Sequence, residues 1–239
     1  MESLVILPYG DQAVLIQFEQ RIDVEINRSV HALNHWLLNQ SIVGVVDSIP
    51  AYCSLTLRYN PDLLSFEKLK AIVNSYEWNE TGFDTQRKLY RLPVCYGGDF
   101  GQDMSEVSQL TGLSFSEIVD IHGQSIYHTF MIGFLPGFPY LGKLDAKIQV
   151  PRRQHPRTSV ASGSVGLAGE QTGVYPSKAP GGWQIIGRTP IPMMSVESAS
   201  ALLRAGDQVQ FFAVTSRDFE LIQKDVRLGH FNNKSLHVW

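Results

Sequence analysis

The order of hydrophobic patterns predicts two structural halves. A small α+β domain with the split βαβ, ferredoxin-like order spans residues 1–85, and a mainly β domain spans residues 86–239. Three observations carry this. The first third alternates between strand-like and helix-like periods. A polar, unpatterned stretch, "WNETGFDTQRK" (Trp78–Lys88), follows it as the candidate linker. Glycine and proline then crowd into Gly133–Pro192, which holds ten of the 20 glycines and eight of the 12 prolines.

"AVLIQFE" (Ala13–Glu19) reads as a strand, and Val24, Val30, Leu33, Leu37 and Leu38 recur at helical spacing between Asp23 and Asn39. "IVGVVDSI" (Ile42–Ile49) and "YCSLTLRYN" (Tyr52–Asn60) are strands parted by Pro50. A second helix runs from Ser65 with Phe66, Leu69, Ile72, Val73 and Tyr76 on one face, and "KLYRLPVCY" (Lys88–Tyr96) returns to strand. The order is therefore β-α-β-β-α-β. Beyond it, "YGGDFGQDMSEVSQLTG" reads as a loop and short helix. "SFSE" (Ser114–Glu117) is a capping box that opens a helix ending near Gly123. "IYHTFMIG" (Ile126–Gly133) and "GDQVQFFAV" (Gly206–Val214) are strands, and the tail to Trp239 is mixed. Short strands joined by tight turns predict a barrel or a sandwich for this half.

With 239 residues, 44% hydrophobic and 18% charged, the chain has the composition of a soluble globular protein that can bury a core. A net charge of −3 argues against a nucleic-acid or polybasic membrane partner, and no apolar run reaches membrane-spanning length. "MESLVILPYGD" has no basic n-region, so a cytoplasmic protein without a signal peptide is expected. Cys53 and Cys95 read as reduced thiols in apolar runs.

Candidate chemistry concentrates in the Gly/Pro-rich stretch. "GFLPGFPYLG" (Gly133–Gly142) is a rigid bent loop, because proline fixes φ and glycine supplies positive φ. Phe138 and Tyr140 are its candidate pocket walls, and Phe134 is read as a plug for the barrel end. "PRRQHPR" (Pro151–Arg157) packs three arginines and a histidine between prolines. From Lys147 to Arg188 there are six Lys/Arg and one acid, Glu170, in a chain that is acidic overall. That asymmetry suits an anionic ligand held by arginine forks, with Arg152 and Arg157 favoured over Arg153; a solvated face with a salt bridge would look the same. In "GSVGLAGEQTGVYPSKAPGGWQIIGRTP", the glycines Gly166 and Gly169 could turn backbone N–H groups toward an anion. Gln171, Tyr175, Gln184 and Arg188 are candidate ligand-binding groups, and Trp183 suits either a pocket wall or a core.

Familiar engines are missing. "ASGSVG" lacks the first glycine of a nucleophile elbow, and neither a phosphate-binding loop nor a dinucleotide fingerprint occurs. His31 and His35 lie one turn apart without further ligands, so no metal site is expected. His122 and His128 could act as general bases or sit as structural histidines.

Taken together, "VCYGGDFGQD", "IHGQSIY", "GFLPGFPYLG", "PRRQHPR", "GSVGLAGEQTGVYPSKAPGGWQIIGRTP" and "LLRAGDQVQF" resemble the B-component family of bacterial ATP-dependent 5-oxoprolinase. That family also includes KipI, an inhibitor of a sensor histidine kinase, and was formerly labelled allophanate hydrolase subunit 1. One departure is visible: Ala161–Ser162 stands where the family has Pro-Ala. The resemblance implies a cyclophilin-like barrel and assembly with the C and A components of 5-oxoprolinase. It implies ATP-driven opening of 5-oxo-L-proline to L-glutamate, with the ATP site shared with or located in a partner. His122 becomes a candidate for proton transfer, and kinase inhibition is the alternative function.

Overall fold

A computed structural model describes residues 4–78, 87–195 and 200–236. The chain divides into two compact units, residues 1–86 and 87–239. Most of the expected linker, Trp78–Lys88, lies outside the described residues.

The first unit is a four-stranded antiparallel sheet with two helices. β1 (Val5–Pro8) and β2 (Ala13–Gln17) form a hairpin, α1 (Val24–Asn39) follows, then β3 (Val45–Pro50), β4 (Ser54–Tyr59) and α2 (Phe66–Asn74). The sheet order is β1-β2-β4-β3. Asp23 caps α1 by accepting from the Glu25 and Ile26 N–H groups, which have no partner within the helix. Val30, Leu33 and Leu37 from α1 and Leu69 and Val73 from α2 pack on Val14, Ile16, Leu55 and Leu57.

One expectation is corrected here. The strand over Lys88–Tyr96, counted in the β-α-β-β-α-β order although it lies beyond the 1–85 boundary, does not complete this sheet; the N-terminal hairpin strand β1, unread in the sequence, takes the fourth place. β5 (Leu89–Tyr96) joins the second unit instead. Its nearly continuous apolar run must be buried on both faces, whereas the first sheet leaves Val5, Leu7 and Ile49 exposed.

The second unit continues with α3 (Met104–Thr111), α4 (Phe115–Gln124), β6 (Ile126–Ile132), β7 (Pro139–Gly142), β8 (Arg157–Val160), β9 (Ser164–Ala168), β10 (Gln171–Val174), β11 (Ala179–Gly181), β12 (Gln184–Arg188), β13 (Gln208–Ala213) and α5 (Ser216–Arg227). Seven strands close a barrel in the order β10-β7-β6-β13-β5-β12-β9, and β8 and β11 form a separate ribbon. Of the two structures left open for this half, the barrel is the one found. Within it β5 and β13 pair in parallel, and the remaining pairs are antiparallel. Leu92, Val94, Tyr127, Leu141, Val165, Leu167, Val174, Ile186, Val209 and Phe211 belong to its main core. The capping box at Ser114 and Glu117 forms as predicted. The tail is more regular than "mixed": Thr215 caps α5, which packs on β5, and Phe219 buries its ring against Phe100.

Candidate functional site

Alternation along the barrel strands creates a second apolar layer outside the main core. On β9, Val165 and Leu167 point inward, so Gly166 faces out; on β10, Thr172 and Val174 point inward and Gly173 faces out. Gly166 and Gly173 are cross-strand partners. A Cβ on Gly166 would meet Trp183 Cβ at 3.0 Å, and one on Gly173 would meet the Pro139 carbonyl at 2.7 Å, Trp183 Cζ3 at 3.0 Å and Phe138 Cζ at 3.1 Å. The bare glycine pair is thus the seat on which two large rings lie. Phe138, Tyr175 and Trp183, with Val160, Ala168 and Ile185, form a compact satellite cluster there.

Above this floor is a recess of about 260 Å³. Phe138 meets Tyr175 and Trp183 edge-on at centroid distances of 5.2 and 5.4 Å, and Tyr140 tilts against Phe138 at 4.9 Å. Phe134, Pro156 and Pro180 supply the walls, and Gly181 and Gly182 the close backbone. Arg152 completes the lining. Its charge favours the ionised form of both Tyr140 and Tyr175, although burial dominates and raises both phenols. The chemistry offered is an aromatic box with a single guanidinium on its rim.

The neighbouring arginines are committed elsewhere. Asp103, just before α3, is 2% exposed and accepts from Arg153 Nη1 at 2.8 Å, from both terminal nitrogens of Arg157, and from the Ile185 N–H at 2.7 Å. Glu106 accepts from Arg153 at 2.7 Å and from Gln184 Nε2 at 3.1 Å. Two arginines are therefore matched by two carboxylates. Among the described residues, no carboxylate pairs with Arg152.

The predicted site residues therefore separate. Arg152, Phe138, Tyr140, Tyr175 and Trp183 are brought together at the recess. Arg157 and Gln184 serve the Asp103–Glu106 network. Arg188 lies over the Phe100 ring at 5.7 Å, and Gln171 sits in the β10 ladder opposite Gly142 and Ala168. Gly169 has φ +57° and donates its N–H to the Val150 carbonyl, and Gly166 sits within the strand ladder under Trp183. Neither glycine lines the recess. Phe134, read as a plug, is instead 63% exposed at the rim. Asp103 escapes a reading of the sequence; "GGDFGQD" shows an acid beside a glycine loop but not its arginine partners.

His122 is in the barrel interior, fully buried and stacked on Phe211. The Thr172 hydroxyl donates to the Gly166 carbonyl, so its oxygen accepts from His122 Nε2–H at 3.0 Å, and Nδ1 accepts from the Tyr96 hydroxyl at 2.8 Å. Burial lowers its pKa to about 3. Both nitrogens of this neutral imidazole are satisfied away from the recess. Cys95 is buried and Cys53 half-buried, both as free thiols. Among the described residues no group of three or more His, Cys, Asp and Glu could hold a metal ion, and no helix is long and apolar enough to cross a membrane.

Comparison with known proteins places this fold. A family model described as carboxyltransferase domain, subdomain C and D, matches residues 4–203. The chain is 39% identical over 235 residues to the B component of 5-oxoprolinase from Bacillus subtilis (strain 168), covering 90% of this chain and 95% of that one. The chain therefore belongs to the carboxyltransferase-domain family, within its branch of 5-oxoprolinase B components. A crystal structure of TTHA0988 matches with a TM-score of 0.76 at 32% identity, over 86% of this chain and 40% of that one. The urea amidolyase of K. lactis matches with a TM-score of 0.82 at 18% identity, over 96% of this chain and 16% of that one, a likeness of fold alone.

Proposed function

We propose that this chain is the B component of an ATP-dependent 5-oxoprolinase, working with the C and A components to open 5-oxo-L-proline to L-glutamate. The single observation that carries the reading is 39% identity over nearly the full length of a relative of that name. The same name favours this reading over kinase inhibition. Opening an unstrained lactam is difficult because amide resonance makes its carbonyl a poor electrophile, which gives ATP hydrolysis a chemical purpose. The recess supports a role at the substrate rather than at the nucleotide. One guanidinium and an aromatic floor are a poor match for a triphosphate, and no phosphate-binding loop occurs in the sequence. That mismatch supports a nucleotide site elsewhere, shared with or located in a partner component.

An open rim with a largely exposed Phe134 supports completion of the site by a neighbouring polypeptide. The matched region being part of longer chains in TTHA0988 and the K. lactis protein fits the same reading. The barrel is then of the cyclophilin-like kind implied by the family resemblance, and the complex works in the cytoplasm. The test is ATP-dependent glutamate release by the purified components. The chain alone is expected to release none, and mixing with the C and A components is expected to restore turnover. Turnover by the chain alone, or none from the full set, rejects the proposal.

A further inference from the structure

The charge balance around the recess decides what it can hold. Arg153 and Arg157 are neutralised by Asp103 and Glu106. Glu170, the one acid between Lys147 and Arg188, pairs with Lys143. Among the described residues, Arg152 thus contributes a single uncompensated positive charge to an otherwise apolar lining. A monoanion matches this balance. A phosphate monoester or nucleoside triphosphate would bring further negative charge with no second cation in the lining to meet it.

The shape narrows the class further. The floor rings Phe138, Tyr175 and Trp183 pack edge-on against one another, so no gap opens between their faces, and the recess of about 260 Å³ above them fits a compact group rather than an extended one. Mostly apolar lining with one well-placed polar group is the ordinary composition of a small-molecule site. The backbone adds an independent sign. Phe134 has φ +66°, a left-handed conformation unfavourable for a large side chain, and the Leu135 N–H closes a three-residue turn onto the Gly133 carbonyl at 2.8 Å. Strain of this kind persists where a side chain must be held at a working position. Here it holds an exposed ring at the mouth of the box.

We propose that this recess, in the chain by itself, binds a small cyclic monocarboxylate, with the ring enclosed by Phe134, Tyr140 and Trp183 and the carboxylate gripped by Arg152. Given the reading above, the ligand is 5-oxo-L-proline, and Arg152 is the residue that selects the carboxylate; that choice of ligand rests on the proposed function.

Calorimetric titration of the full chain tests this with 5-oxo-L-proline, 2-pyrrolidinone (the ring without the carboxylate), cyclopentanecarboxylate and MgATP. The two carboxylates are expected to bind at one site, 2-pyrrolidinone at least about tenfold more weakly, and MgATP neither to bind nor to compete. Arg152→Ala should weaken the carboxylates by at least about tenfold while leaving 2-pyrrolidinone unchanged, and Arg152→Lys should recover part of the loss. Gly181→Ala serves as a second variant. Its Cβ would overlap the Tyr175 hydroxyl, so this floor ring must shift and all ring ligands should lose affinity. Absence of carboxylate binding to the chain alone overturns the inference, as does affinity unaffected by Arg152→Ala or competition by MgATP. If the three-component mixture turns over 5-oxoproline while the chain alone binds none, the inference fails and the proposed function stands. If the chain binds the carboxylates through Arg152 but the mixture is inert, the site stands and the function fails.

Discussion

Phe134 and His122 are single residues whose environments make opposite demands. Phe134 sits where glycine would be preferred and exposes most of its ring, so it contributes little burial and costs about 1–3 kcal/mol in backbone strain. Phe134→Gly should therefore leave stability unchanged or raise it by about 1 kcal/mol, read from urea denaturation midpoints; a clear loss would show that the ring is structural. His122 is held neutral, with its pKa lowered to about 3 by burial. Above about pH 6.5 the imidazole is uncharged in both folded and unfolded chains, and this group imposes no pH dependence. Between about pH 6.5 and 3 the unfolded chain takes up a proton that the folded site refuses. Stability should then fall with falling pH, by up to about 1.4 kcal/mol per pH unit from this residue. Asp207, whose pKa burial raises, acts in the opposite direction, so the contrast with a variant is the informative measurement. His122→Gln should lose less stability than the wild type between pH 7 and pH 5, and equal losses would contradict the assignment.

At the scale of elements, Asp103 joins three pieces of chain. It stands before α3, grips the Pro151–Arg157 segment through two arginines, and accepts from the Ile185 N–H of β12. Losing that carboxylate would leave the partly buried Arg157 guanidinium and the buried Ile185 N–H without their acceptor, and Arg153 with Glu106 alone. Asp103→Ala is therefore expected to cost about 3 kcal/mol or more in chemical denaturation. Arg153→Ala should cost less, because Asp103 keeps Arg157 and the β12 amide. Similar losses for the two variants would show that the aspartate is not the centre of the network. The same element logic explains β5. Order along the chain assigns it to the first sheet, but its apolar run needs cover on two faces, which the barrel core and α5 provide.

For the whole molecule, the recess's open side follows from its place on the barrel's outer layer. A cavity inside the barrel would be closed by the main core, which is instead filled by side chains around Tyr127 and Phe211. An outer recess is limited by its loops, and one side stays open. This is the physical basis for expecting the reconstituted complex, rather than this chain, to perform turnover.

The sequence by itself determined the periods of the helices and strands, the capping box at Ser114, the β-rich character of the second half and the crowding of turn residues around the candidate recess. It also brought Arg152, Phe138, Tyr140, Tyr175 and Trp183 into view, because arginine excess and aromatics among glycines are compositional signals. Those signals are local. Whether Arg152 or Arg157 stays unpaired depends on Asp103, about fifty residues away, and whether β5 closes a sheet or a barrel depends on which surfaces can cover both its faces. His122 likewise needed Tyr96 and Thr172 beside it before its role was defined. Only the tertiary structure decided these matters, because charge pairing and burial are set by contacts between residues distant in the chain.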